Sequence, residues 1–147
     1  RAGCEDRELG MRARAAGVRV LYDPDNVALH QDWAVSLPRY CERQRTYAIS
    51  EVRLWRLYGS RSTRAGLVSA NAPIARGDAP GRMVRKVGKA LLATPPGRVL
   101  LRSLVALGER LAPDRAPARR AYDAAVAVAI FRGVREGLAR FPEQREA

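Results

Sequence analysis

The chain has 147 residues, 47% of them hydrophobic and 29% charged, and its 27 Lys and Arg outnumber 15 Asp and Glu for a formal net charge of +12. That length suits one domain with a core of its own. The two lone cysteines, Cys4 and Cys41, form neither a C-x-x-C zinc pattern nor a disulfide framework and fit a reducing compartment, and no apolar run approaches the ~18 to 20 residues of a membrane span.

The charge is unevenly placed. Between Arg1 and His30 five arginines meet five carboxylates, so the whole excess lies beyond residue 30. A basic remainder of this kind attracts phosphate, nucleic acid or an anionic membrane face. The sequence has no Gly-rich phosphate loop, no βαβ repeat and no internal repeat.

Gly3-Cys4-Glu5-Asp6 opens a short helix. Glu5, Asp6 and Glu8 fall in its first turn, where unpaired amides and the positive end of the helix dipole favour carboxylates. Leu9, Ala13 and Ala16 give it an apolar stripe, and Gly17 supplies the stop. Val18 to Tyr22 alternates and is β-rich, which predicts a strand. Asp23-Pro24-Asp25-Asn26 is a turn by composition, and Val27 to His30 reads as a second short strand ending on the only histidine.

Past Asp32 the pattern is helical. Ser36 and Pro38 mark a helix start, and Leu37, Tyr40, Gln44, Tyr47, Ala48, Leu54, Trp55 and Tyr58 line one side as far as Gly59. Residues 65–70 resume the helix, and residues 71–81, with Pro73, Gly77, Pro80 and Gly81, make the best linker. Met83, Val84, Val87 and Leu91 start a further amphipathic helix that Pro95-Pro96-Gly97 stops. Val99 to Leu111 forms the next, and Tyr122 to Phe141 the last. The basic amphipathic tail has two readings: a small bundle that buries its stripes, or helices lying in a membrane interface.

The ordered set Gly-Cys-Glu-Asp-Arg-Glu-Leu-Gly-Met-Arg, Ala-Gly-Val-Arg-Val-Leu-Tyr-Asp-Pro-Asp and Ala-Leu-His resembles the C-terminal end of the catalytic domain in family 2 glycosyltransferases, inverting enzymes of GT-A fold. The match covers about the first quarter of the chain. Phe131-Arg132-Gly133-Val134 resembles the less specific tails of bacterial members. The resemblance implies an α/β fold class: a C-terminal GT-A piece, helix-strand-turn-strand, followed by an α-helical extension that makes the chain mostly α by residue count. The implied organisation is a GT-A end over 1–35, a long amphipathic helix and following segment over 36–70, a linker over 71–82 and a helical tail over 83–147. It also implies a C-terminal fragment whose nucleotide-binding half lies upstream, and which alone does not bind a nucleotide-sugar productively.

In site terms, the resemblance aligns Asp6 with the catalytic base that takes the proton from the acceptor hydroxyl, with Glu5 orienting Asp6 or the acceptor. His30 matches a position that in some members ligates the metal or contacts the diphosphate. The implied cofactor is Mg²⁺ or Mn²⁺, held mostly by upstream residues. Asp23-Pro24-Asp25 has the letters of the family's Asp-x-Asp metal motif, but that motif belongs upstream of Glu5-Asp6, so the pair reads as a turn. Glu42-Arg43-Gln44-Arg45-Thr46-Tyr47 lacks the Arg-Trp ending of processive members, which points to single-sugar transfer. The expected partners are a nucleotide-sugar donor and a glycan or lipid-linked acceptor, with peripheral membrane contact through the basic helices. The expected location is cytoplasmic, at or near the inner face of the cell membrane. The alternative is a basic helical module without catalysis, binding nucleic acid or a membrane surface, in which Glu5 and Asp6 only stabilise a helix start.

Overall fold

Strong helix formers punctuated by Pro and Gly dominate the chain beyond residue 35. In a computed structural model, residues 4–19, 21, 23–27, 36–59, 65–111 and 115–142 are described. Among these there are six helices and no strand: α1 (Glu5–Ala15), α2 (Leu37–Tyr58), α3 (Ala65–Asn71), α4 (Pro80–Ala93), α5 (Pro95–Leu111) and α6 (Ala116–Arg140).

The expected α/β class is therefore corrected to all-α. Of the first predicted strand, Val18, Arg19 and Leu21 are non-strand and exposed, Leu21 by 76%. Of the second, Val27 is likewise exposed and in no strand. Val20, Tyr22 and residues 28–30 lie outside the described residues. The physical reason is that β-rich alternation stabilises a strand only when a neighbouring strand takes its backbone groups and side chains. None of the described residues offers one.

Several local signals act as composition suggests. Gly17 takes φ +75 to end α1, and the Val18 amide donates back to the Ala13 carbonyl at 2.9 Å. Gly59, at φ 57, ends α2. Pro stands in the first turn of α2, α4 and α6, where its missing N–H costs nothing. Ser36 occupies the N-cap position of α2, but its hydroxyl makes no capping bond.

The spine is the long pair α2 and α6. Its core comprises Ala48, Val52, Val68 and Val134, with Trp55, Leu67, Ile130, Leu138 and Phe141 packed around them. Gly133 and Gly137, four apart on α6, present bare backbone to α2. A Cβ on Gly133 would sit 2.3 Å from the Arg45 carbonyl oxygen, and one on Gly137 would sit 2.9 Å from Val52. Arg45 of α2 pairs with Glu136 of α6 beside this seam, and Arg56 Nε donates to the Phe141 carbonyl at 3.1 Å past the end of α6.

Between α3 and α4 the loop is knitted by polar groups. Lys86 Nζ donates to Asp78 Oδ2 at 2.7 Å and to the Pro73 carbonyl at 3.1 Å, and the Ala75 amide donates to the same carboxylate oxygen at 3.0 Å. Lys89 Nζ reaches Asn71 Oδ1 at 2.7 Å. The Lys86 ammonium beside Asp78 holds its carboxyl below the usual carboxylate range.

Candidate functional site

Helix α1 buries none of its residues, so apolar packing does not hold it. Its first turn is tied instead to Glu51, which sits on the inward side of α2 at 2% exposure. Arg7 forms an ion pair with Glu51, and Cys4 Sγ donates to Glu51 Oε1 at 3.4 Å. Cys4 itself takes φ 76, a left-handed conformation that disfavours any side chain, immediately before the acidic pair. The chain thus turns sharply at Cys4, is gripped at Cys4 and Arg7, and leaves the residues between them outward.

Those residues are Glu5 and Asp6. Both side chains are exposed, and Asp6 has no hydrogen bond or ion pair with any described residue. An outward carboxylate on a fixed first turn can accept a proton from a bound hydroxyl. His30, the expected metal or diphosphate contact, lies outside the described residues, as does Asp32. Asp23 and Asp25 form a local turn in which the Asp25 amide donates to Asp23 Oδ1 at 3.0 Å. Among the described residues no group of three or more His, Cys, Asp or Glu could hold a metal ion. The described side chains therefore do not by themselves fit Mg²⁺ or Mn²⁺.

A concave place, lined by no residue of α1, lies between the start of α2, α5 and α6, with a volume near 540 Å³. Leu101, Val105, Val128 and Ala129 give it an apolar floor, and Arg98, Arg102 and Arg132 line it with positive charge, Arg45 being paired with Glu42 and Glu136. Its two acids are already engaged. Glu42 accepts from Arg45 Nε at 3.0 Å, which holds its carboxyl below the usual range, and Glu109 accepts from the Tyr122 hydroxyl. Burial pushes the Cys41 thiol up, which disfavours its thiolate form. Such a cleft suits an anion with an apolar portion.

Sequence reasoning singled out Glu5 and Asp6 but missed Glu51. An acid among Ala48, Ile49, Val52 and Leu54 is the available signal, since a carboxylate on a buried stripe requires a partner. The cleft arginines were visible only as charges flanking helices, because the concavity depends on how α5 meets α2 and α6. Compared with known proteins, the chain matches no family model, no curated protein and no solved structure.

Proposed function

We propose that this chain belongs to an enzyme that transfers a single sugar from a nucleotide-sugar to a glycan or lipid-linked acceptor with inversion, and that Asp6 is its general base. The observation that carries the reading is the gripped first turn. Cys4 and Arg7 are both tied to buried Glu51, and Asp6 between them stands open to a ligand. The resemblance of residues 3–30 to family 2 glycosyltransferases supports the same assignment. In the reaction Asp6 accepts the acceptor hydroxyl proton as that oxygen bonds to the anomeric carbon. The bond from that carbon to the diphosphate breaks on the opposite face, and its electron pair leaves with the nucleoside diphosphate.

The reading requires a nucleotide-binding region ahead of Arg1 in the same polypeptide, and an upstream sequence lacking one overturns it. In the protein that carries such a region, Asp6→Asn should lower kcat by about 10² to 10⁴ with unchanged circular dichroism. Retained turnover refutes Asp6 as the base. If instead no donor is turned over by the wild-type protein, Glu5 and Asp6 serve only the helix start.

A further inference from the structure

Helix α4 is inside out. In water an amphipathic helix turns its lysines outward and its valines inward. Here Lys86 is buried at 4% exposure against Asp78 and the Pro73 carbonyl, and Lys89 reaches Asn71, while Val84 (71% exposed), Val87 and Leu91 face out. Helix α5 repeats the anomaly differently. Leu101 and Val105 are buried, yet a second line, Leu100, Leu104, Leu107 and Leu111 at helical spacing, is exposed, Leu111 by 74%. The two helices meet at a 91° bend. Among the described residues no single helix is long and apolar enough to cross a membrane; only this bent pair, taken together, reaches that length and apolar content.

The charges beside the stripes identify the occupant. Arg82, Arg85, Arg102 and Arg110 are exposed, and Glu109 is the only acid in either helix. A second copy docked on this face would bring like charges together, and its desolvated arginines would lack acids to meet. An anionic bilayer offers acyl chains for the valines and leucines and phosphates at the depth to which arginine side chains reach. We propose that the α4–α5 elbow lies in the interface of an anionic lipid bilayer, with its apolar stripes at the acyl boundary and its arginines at the headgroup phosphates. The buried Lys86–Asp78 pair permits this, because it removes from the outward face the lysine that would otherwise interrupt the stripe. The proposal does not rest on the transferase reading: a chain that binds membranes without transferring sugar still supports it.

The test is co-sedimentation of the full chain with vesicles of phosphatidylcholine containing about a third phosphatidylglycerol, against pure phosphatidylcholine. The expected result is binding to the anionic vesicles, weaker binding to the neutral ones, and at least about a tenfold loss for the double variant Leu100→Asp/Leu104→Asp with unchanged circular dichroism. Because these leucines are exposed, the variant should fold. A second variant, Leu104→Trp, gains signal rather than losing it. With the wild-type spectrum subtracted, its added emission should shift to the blue on anionic vesicles and be quenched by brominated acyl chains. Undiminished binding by the double variant overturns the proposal, as does added emission from Leu104→Trp that ignores the vesicles. Failure of the wild-type chain to sediment overturns it too, as does tighter binding to duplex DNA than to anionic vesicles. A lipid-free dimer that Leu104→Asp dissociates, with no vesicle binding, assigns the stripe to a second copy instead.

Discussion

Replacing Gly133 by alanine should destabilise the chain although it improves helix propensity. In an unhindered helix interior Gly→Ala gains about 1 kcal/mol. At Gly133 the new Cβ meets the Arg45 carbonyl oxygen at 2.3 Å and the Ala48 Cβ at 2.7 Å. The first of these is α2 backbone, so relief requires α2 and α6 to move apart rather than one side chain to turn. Overpacking of this kind costs typically about 1–3 kcal/mol. The shift also loosens Val52 and Val134, both at 0% exposure, and the Arg45–Glu136 pair. The clash with α2 backbone therefore cancels or outweighs the propensity gain, with a net loss of up to about 2 kcal/mol, or several degrees in Tm for a chain of this size. Gly88 of α4 is the control, since nothing lies within 4 Å of its Cβ position; Gly88→Ala should raise stability by up to about 1 kcal/mol. Urea unfolding followed by circular dichroism measures both. If Gly133→Ala stabilises as Gly88→Ala does, α2 and α6 do not pack backbone to backbone at this seam.

Three further outcomes follow from named contacts. Glu51→Gln should release the first turn of α1, so that in a Cys41→Ser background Cys4 reacts faster with a thiol reagent; an unchanged rate refutes the tether. Asp78, whose carboxyl is held low by the Lys86 ammonium and the Ala75 amide, contributes stability that is fully present above the unfolded carboxylate pKa of about 4 and is lost as pH falls through the lower folded value. Asp78→Asn should therefore cost stability at neutral pH, with the difference from wild type shrinking in acid, and a difference independent of pH sinks the assignment. Arg56→Ala should weaken the C-terminal end of α6 by about 1 kcal/mol, read as faster amide exchange near Phe141 with α2 unchanged.

The ends of α1 and α2 were legible because they are written in local chemistry: Gly17, Gly59 and Pro38 act within a few residues of themselves, whereas Pro80, read as linker, stands in the first turn of α4, and α6 starts at Ala116, ahead of the expected Tyr122. The faces were legible only in part. Ala48 reads as a stripe residue and is core, but Ile49, Glu51 and Val52 do not stand out in the pattern, because α2 packs on α6 and α3 while also holding α1. Val18 and Leu21 have the right residues for a strand and no partner strand among the described residues, and strand pairing is a property of two segments that one segment's pattern cannot carry. Helix α4 misled most directly: Val84, Val87 and Leu91 are periodic, yet periodicity states that a face is apolar and not which surroundings receive it.

The proposed base needs more than an outward position. An exposed carboxylate hydrogen-bonds to water in preference to a dilute alcohol, so it becomes an effective base only when a ligand or a neighbouring surface covers it. The described residues do not supply that cover, because Glu5 and Asp6 both face solvent. They do supply a first turn that can meet it. With no buried side chain on α1, reorienting the helix breaks no core packing, and the resistance lies at Glu51, where Arg7 and Cys4 converge. The grip at Glu51, on a helix with no fully buried side chain, fixes where Asp6 stands along α2. On the proposed reading Glu51 would act as a positioning residue: its loss should raise KM and lower kcat together in a protein that turns over a donor, whereas loss of Asp6 should fall on kcat alone.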